Sequence, residues 1–333
     1  MKLGFKGNSD PTVLAFARQL GATDFISTFR EFDSERGYYN FHDLCQTKAR
    51  IEDAGLKWAI LEGVPAEWCD KIKLGLPGRD EQIENWCRTL RSMGAAGILG
   101  LGYPFSLRCV GGNYGLRTSK SELGRAGAIV TSFDYEKIKG AHQDYWDPPV
   151  SDCLELSDEE MWDNFSYFLK AVMPVAEEAG VRMGLHPDDP PISPIGGISR
   201  IFRTHDALKQ ATETVPSDCN CLGFCQGTIS EMPGNVLDAI QYFGSRNKIL
   251  YVHYRFVSGT VPKFSETFID QGNVDPMESM RAYEKVGFDG VMIEDHVPEL
   301  AIDHESEKYT SRAYALGYMK ALMDNVNGHT EAG

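Results

Sequence analysis

Short apolar runs alternate along the chain with longer amphipathic segments, the pattern of parallel strands joined by helices. Eight runs have strand character: residues 2–6, 24–27, 58–62, 98–102, 182–186, 221–225, 249–253 and 290–295. The first helix starts where Asp10, a capping side chain, precedes Pro11, and it carries Val13, Leu14, Phe16, Ala17 and Leu20 on one stripe before Gly21 ends it. Apolar residues at three-and-four spacing predict further helices over 43–54, 79–93, 157–179, 233–243, 276–285 and 309–324. The expected fold class is α/β, a (β/α)8 TIM barrel formed by residues 1–333 as a single catalytic domain. No internal repeat or change of composition divides the chain.

One segment breaks the rhythm. Residues 104–156, between the fourth and fifth runs, are rich in Gly, Tyr, Asp and Pro and read as a long irregular insertion. In a barrel it falls at the C-terminal mouth, where it is expected as an active-site insertion or lid. The plainer alternative is an arm that packs or makes a dimer contact.

Composition narrows the partners. A formal net charge of -15, with basic residues scattered, repels a phosphate backbone or an anionic membrane, so neither nucleic acid nor membrane is expected. An anionic substrate would then need a local cation, a metal ion or an arginine. Residues 1–10 lack the apolar run of a signal peptide, and no apolar stretch is long enough to span a bilayer. The eight cysteines are dispersed, which favours reduced thiols and a cytoplasmic protein. Cys219 and Cys221 read as small buried strand residues.

Chemistry concentrates at strand ends. The last four runs finish in His186, Cys225, His253 and Asp295, each able to bind a transition metal. Taken singly, each histidine also reads as a hydrogen-bonded structural residue, Cys225 as a buried hydrophobe and Asp295 as a cap. In a closed parallel barrel the four ends converge, and the mixed N, S and O donors suit manganese, iron or zinc better than magnesium or calcium. Asp188 and Asp189, just past His186, could hold its imidazole or orient a loop. Arg255, two residues past His253, reads either as a carboxylate-binding residue or as half of a structural salt bridge. His296 directly follows Asp295, a placement suited to a general acid or base.

These residues lie in strings that resemble the mannonate dehydratase family. "IEDAGLKWAILEGVP" and "KLGLPGRDEQIENWCRTLRSMGAAGI" resemble its N-terminal half, and "RMGLHPDDPP", "GFCQGT", "VHYR", "GNVD" and "EDH" follow in the family's order. The resemblance implies a barrel that carries Mn2+ or Fe2+ and removes water from D-mannonate to give 2-keto-3-deoxy-D-gluconate, a step of hexuronate catabolism. It also implies the ligand set His186, Cys225, His253 and Asp295, catalytic roles for His296 and Tyr309, and a homodimer or larger homo-oligomer. Arg255 and Glu266 are the expected substrate-binding residues. This chain departs from the family where an Arg-Pro-Asp-His-Gly-His string becomes Ile293-Glu294-Asp295-His296-Val297-Pro298, a His-Glu pair becomes Ser265-Glu266, and an Asn becomes Phe256. The changes fall on residues that would meet substrate, which admits a related aldonate. The alternatives are a metal-dependent sugar isomerase or epimerase, and a sugar-acid-binding paralogue with weakened catalysis.

Overall fold

In the computed structural model, which describes residues 1–28, 32, 35–106, 116–140, 155–303 and 308–328, all eight apolar runs form strands of one closed barrel. In chain order the strands are β1 (Lys2–Gly7), β2 (Asp24–Thr28), β3 (Lys57–Glu62), β4 (Gly100–Pro104), β5 (Ser119–Leu123), β6 (Ile129–Asp134), β7 (Arg182–His186), β8 (Asn220–Cys225), β9 (Ile249–His253), β10 (Val257–Thr260), β11 (Lys263–Glu266) and β12 (Val291–Ile293). The barrel runs β1-β12-β9-β8-β7-β4-β3-β2, with every pairing parallel. Parallel neighbours point the same way, so every strand delivers its C-terminal residue to one mouth.

The described helices are α1 (Pro11–Gln19), α2 (Phe41–Asp53), α3 (Asp70–Leu74), α4 (Arg79–Ala96), α5 (Asp158–Ala179), α6 (His205–Thr214), α7 (Gln226–Glu231), α8 (Val236–Gly244), α9 (Pro276–Lys285) and α10 (Tyr309–Val326). Asp10 caps α1 by accepting from the Thr12 amide at 2.8 Å. Ser157 and Glu160 form a reciprocal capping box on α5. Three short helices are not legible as apolar stripes. All six residues of α7, QGTISE, are buried although Ile229 is its one strongly apolar residue, so no apolar stripe marks its period. α3 is little more than one turn, and α6 buries Leu208 and Ala211 with a single polar companion, Thr212.

Most of the core lies between the barrel and its helices; a smaller cluster of Ile26, Ile60, Tyr251, Val291 and Ile293 fills the barrel itself. Tyr251 crosses that interior because glycines face it. A Cβ at Gly102 or Gly223 would stand 2.3 or 2.6 Å from the Tyr251 hydroxyl oxygen. The hydroxyl donates to Glu62 Oε1 at 2.9 Å, so a polar pair sits under the mouth.

The insertion is more regular than its composition predicts. β5 and β6 come from it and join β10 and β11 in an antiparallel sheet of order β10-β11-β6-β5. β5 is exposed and mostly polar, which hides the alternation of a half-buried strand, and the partner of β6 lies far along the chain, with Lys263 opposite Asp134. Phe133, Val257 and Phe264 form this sheet's own buried cluster. Residues 107–115 and 141–154 of the insertion lie outside the described residues.

Candidate metal centre and active site

Strand register assembles the donors. Cys225 on β8 pairs with His253 on β9, and Ile293 on β12 pairs with the other side of His253, so Asp295 emerges two residues above that level. The ligand atoms of His186, Cys225 and His253 lie within 4.8 Å of one another, and all three residues are buried. Asp295 Oδ2 stands 3.6 Å from His253 Nδ1. His186 Nδ1 lies 2.7 Å from the Pro187 carbonyl oxygen. A carbonyl only accepts, so Nδ1 carries the proton and Nε2 is left with the lone pair a metal needs.

The chemistry of these groups fits a divalent ion. Both ring nitrogens of His253 are buried without a hydrogen bond of good geometry, although Nε2 is 2.8 Å from Glu62 Oε1. Burial disfavours the His253 imidazolium, but Glu62 and Asp295 outweigh it and push the pKa up to about 10 in the metal-free protein. Burial alone would raise the Cys225 thiol; the Arg255 guanidinium and the neighbouring His186 and His253 rings more than offset it and hold the thiol well below its ordinary value. The result is a buried thiolate between two imidazoles, a borderline-soft donor set that manganese, iron or zinc would accept.

Arg255 organises the floor of this site. Its Nη2 donates to Thr228 Oγ1 at 2.7 Å, and the Thr228 hydroxyl in turn lies 3.1 Å from Cys225 Sγ. Because the guanidinium supplies a proton to Thr228, the threonine's own proton is directed to the sulfur. Arg255 also meets Asp189 and Glu231 at 3.0 Å and Glu266 at 2.5 Å. Burial and the neighbouring Asp189 push the Glu231 carboxyl above its ordinary range, while Asp189, desolvated but flanked by Arg117 and Arg255, is held well below its own. Space for Arg255 comes from Gly227, where a Cβ would stand 2.4 Å from Nε.

Above the donors, His296 turns onto an open cavity of about 550 Å3 that is also lined by Lys6, Asn8, Asp295, Lys308 and Arg312. His296 has φ 49°, a left-handed conformation uncommon for a residue with a side chain. Its Nε2 is 3.6 Å from Asp295 Oδ2 and its Nδ1 is 3.5 Å from Glu266 Oε1. Desolvation lowers its pKa despite both carboxylates. Tyr309 opens α10, with its ring packed edge-on against Phe16 at 5.0 Å. The preceding Lys308, also left-handed at φ 50°, donates from Nζ to the Val297 carbonyl at 3.1 Å, tying the start of α10 to the turn that carries His296.

A family model described as D-mannonate dehydratase (UxuA) matches residues 1–332. The chain belongs to the mannonate dehydratase family. Its relatives there are hydro-lyases. Mannonate dehydratase 2 of Halalkalibacterium halodurans is 30% identical over 315 residues, covering 87% of this chain and 88% of the relative. The crystal structure of mannonate dehydratase from Streptococcus suis serotype 2 superposes with a TM-score of 0.87 at 27% identity, covering 98% of this chain and 93% of that one. D-psicose 3-epimerase of Clostridium cellulolyticum H10, with a TM-score of 0.61 and 14% identity over 97% of this chain and 99% of its own, shares the barrel fold.

Within this mannonate dehydratase fold, His186, Cys225, His253, Asp295 and His296 come together, with Arg255 and Glu266 beneath them. The Pro187 carbonyl lies 2.7 Å from Nδ1 of the His186 imidazole. Asp188 accepts from the Phe202 amide at 2.8 Å, and Asp189 faces two arginines. Glu62 and Arg117 are among the neighbours that went unmarked in the sequence. Glu62 ends β3 against His253, and a charged residue closing an apolar run was the available signal. Arg117, in the insertion, carried no signal at all. No described helix is long and apolar enough to cross a membrane.

Proposed function

We propose that this family member is a metal-dependent dehydratase of a sugar acid, with D-mannonate or a closely related aldonate as substrate and the 2-keto-3-deoxy acid as product. One observation carries the reading: the buried His186, Cys225 and His253 triad has Asp295 at its edge, and Asp295 with His296 lines a cavity of about 550 Å3. That volume suits a small polar metabolite. His186, Cys225, His253 and Asp295 would hold Mn2+, or Fe2+ in its place. When bound, the ion supplies Lewis acidity toward the substrate carboxylate, whose α-proton is otherwise weakly acidic.

The protein's own groups then manage the protons. Elimination breaks the C2–H and C3–O bonds, forms a C2=C3 double bond and releases water; the enol rearranges to the 2-keto acid. His296 and Tyr309 share the two transfers, one accepting the C2 proton and the other protonating the departing 3-hydroxyl. The turn geometry and cavity position of His296 support its part; that of Tyr309 rests on the family resemblance. Arg255 and Glu266 act from beneath, on Cys225 and His296, because each side chain is only 1% exposed. Lys6, Lys308 and Arg312 provide the local cations that an anionic substrate needs against a net charge of -15. The same reading takes 1–333 as one catalytic domain with 104–156 bordering the site, placed in the cytoplasm as a homodimer or larger homo-oligomer.

The test is to incubate the manganese-loaded protein with a panel of hexonates and pentonates and score each product by mass. Loss of one water from an aldonate is the expected result. A product of unchanged mass would instead identify an isomerase or epimerase, and tight binding without conversion a non-catalytic paralogue.

A further inference from the structure

The insertion reaches the metal centre through one side chain. Arg117 precedes β5 and is buried, its side chain 3% exposed. Nη1 donates to Asp189 Oδ1 at 2.6 Å, Nη2 to Asp189 Oδ2 at 3.0 Å and Nε to Glu266 Oε1 at 3.1 Å. The guanidinium also lies over the Phe264 ring, 4.9 Å from its centre. The carboxylates it grips are two of the three that grip Arg255: Asp189 Oδ2 and Glu266 Oε1 each accept from both arginines. Arg255 in turn faces Cys225 Sγ at 3.4 Å and reaches it again through Thr228. A continuous path of hydrogen bonds therefore runs from the insertion to the Cys225 sulfur, with no exposed link.

We propose that Arg117 is a positioning residue of the metal centre, holding Asp189 and Glu266 so that Arg255 stays against Cys225 and keeps its sulfur aimed at the ion. The argument is geometric. Asp189 sits on the loop after β7 and Glu266 at the end of β11, so without Arg117 both would depend on Arg255 alone, which already serves the buried Glu231, and its guanidinium would be drawn away from the sulfur. The planar fork of an arginine matches both carboxyl oxygens of Asp189 while its Nε serves Glu266, a geometry that a lysine ammonium does not reproduce. The insertion would thus contribute to catalysis without touching substrate. This inference rests on the metal reading given above.

Cobalt(II) replacing the native ion tests it, because a cysteine thiolate bound to cobalt gives a charge-transfer absorption that reports the sulfur directly. Wild-type protein should show the band. Arg117→Gln should bind cobalt about 10–100-fold more weakly, with the band shifted or diminished. Arg117→Lys keeps the buried charge and so guards against misfolding, checked by its thermal melt; it should fall between the two. Arg125→Gln is the control, since Arg125 belongs to the same insertion but pairs with Asp270 at the surface; its cobalt affinity and band should match wild type. Wild-type affinity and band in folded Arg117→Gln or Arg117→Lys would overturn the positioning role. An equal loss in Arg125→Gln would overturn it too, in favour of a general loosening of the insertion. A wild-type chain that binds no cobalt through sulfur would instead overturn the metal reading, and this inference with it.

Discussion

His296 and Cys225 illustrate how differently two neighbours of one ion can contribute. His296 lines the cavity, while Cys225 is wholly buried with its sulfur turned to His186, His253 and Arg255. His296→Ala should therefore retain bound manganese and lose about 10²–10⁴-fold in turnover, as expected for a proton-transfer group. Cys225→Ser should do the reverse, lowering metal content measured by elemental analysis before any effect on the remaining loaded fraction. Full turnover in the first variant, or full manganese content in the second, would remove that residue from its role. At the same scale, Asp189 sets a pH dependence. Its carboxyl is desolvated but held well below its ordinary value of 3.8 by Arg117 and Arg255. A depressed carboxyl stabilises the fold fully above its unfolded pKa, and the contribution is lost as the pH falls below it, where the unfolded chain binds the extra proton. Stability followed by circular dichroism should decline below about pH 4, and Asp189→Asn, though less stable overall, should decline less steeply there. An unchanged slope would exclude Asp189 as the source.

The elements position these groups through backbone space as much as through side chains. β4, β7 and β8 approach Tyr251 closely at Gly102, Gly184 and Gly223, which lets the phenol cross the barrel to Glu62, and Glu62 abuts His253. A methyl group at Gly223 would stand 2.6 Å from the Tyr251 hydroxyl oxygen, closer than real contacts allow. Gly223→Ala should cost about 1–3 kcal/mol in urea unfolding, the usual cost of overpacking a filled core. It should also weaken metal binding, since Tyr251 has no room to move without releasing Glu62. A variant as stable as wild type, with unchanged metal affinity, would show that this interior polar pair does not support the site. The insertion sheet acts in a comparable way from outside, because the same β11 that pairs with β6 ends in Glu266.

At the scale of the whole molecule, a divalent ion held by His186, Cys225, His253 and Asp295 would tie β7, β8, β9 and the segment after β12 together through their side chains. Binding to the folded state alone should raise stability by mass action, by about 2.7 kcal/mol when free manganese is about 100 times its Kd. Melting temperature should therefore climb with the logarithm of manganese concentration and fall after chelation; a melt indifferent to both would refute a site of this kind. The eight strands, their order and the donors at their ends were legible in the chain itself, because apolar periodicity is local and a parallel barrel gathers all C-terminal strand ends by topology alone. Of the four donors expected from the sequence, the structure clusters His186, Cys225 and His253, with Asp295 3.6 Å from His253. What only the tertiary structure decided depends on contacts between distant segments. The proton position on His186 follows from the Pro187 carbonyl, and Glu62 enters the site because Tyr251 finds glycines around it. The insertion becomes a sheet because β6 meets β11. Arg117 becomes part of the metal centre because that pairing brings it between Asp189 and Glu266, a proximity that no local pattern of residues encodes.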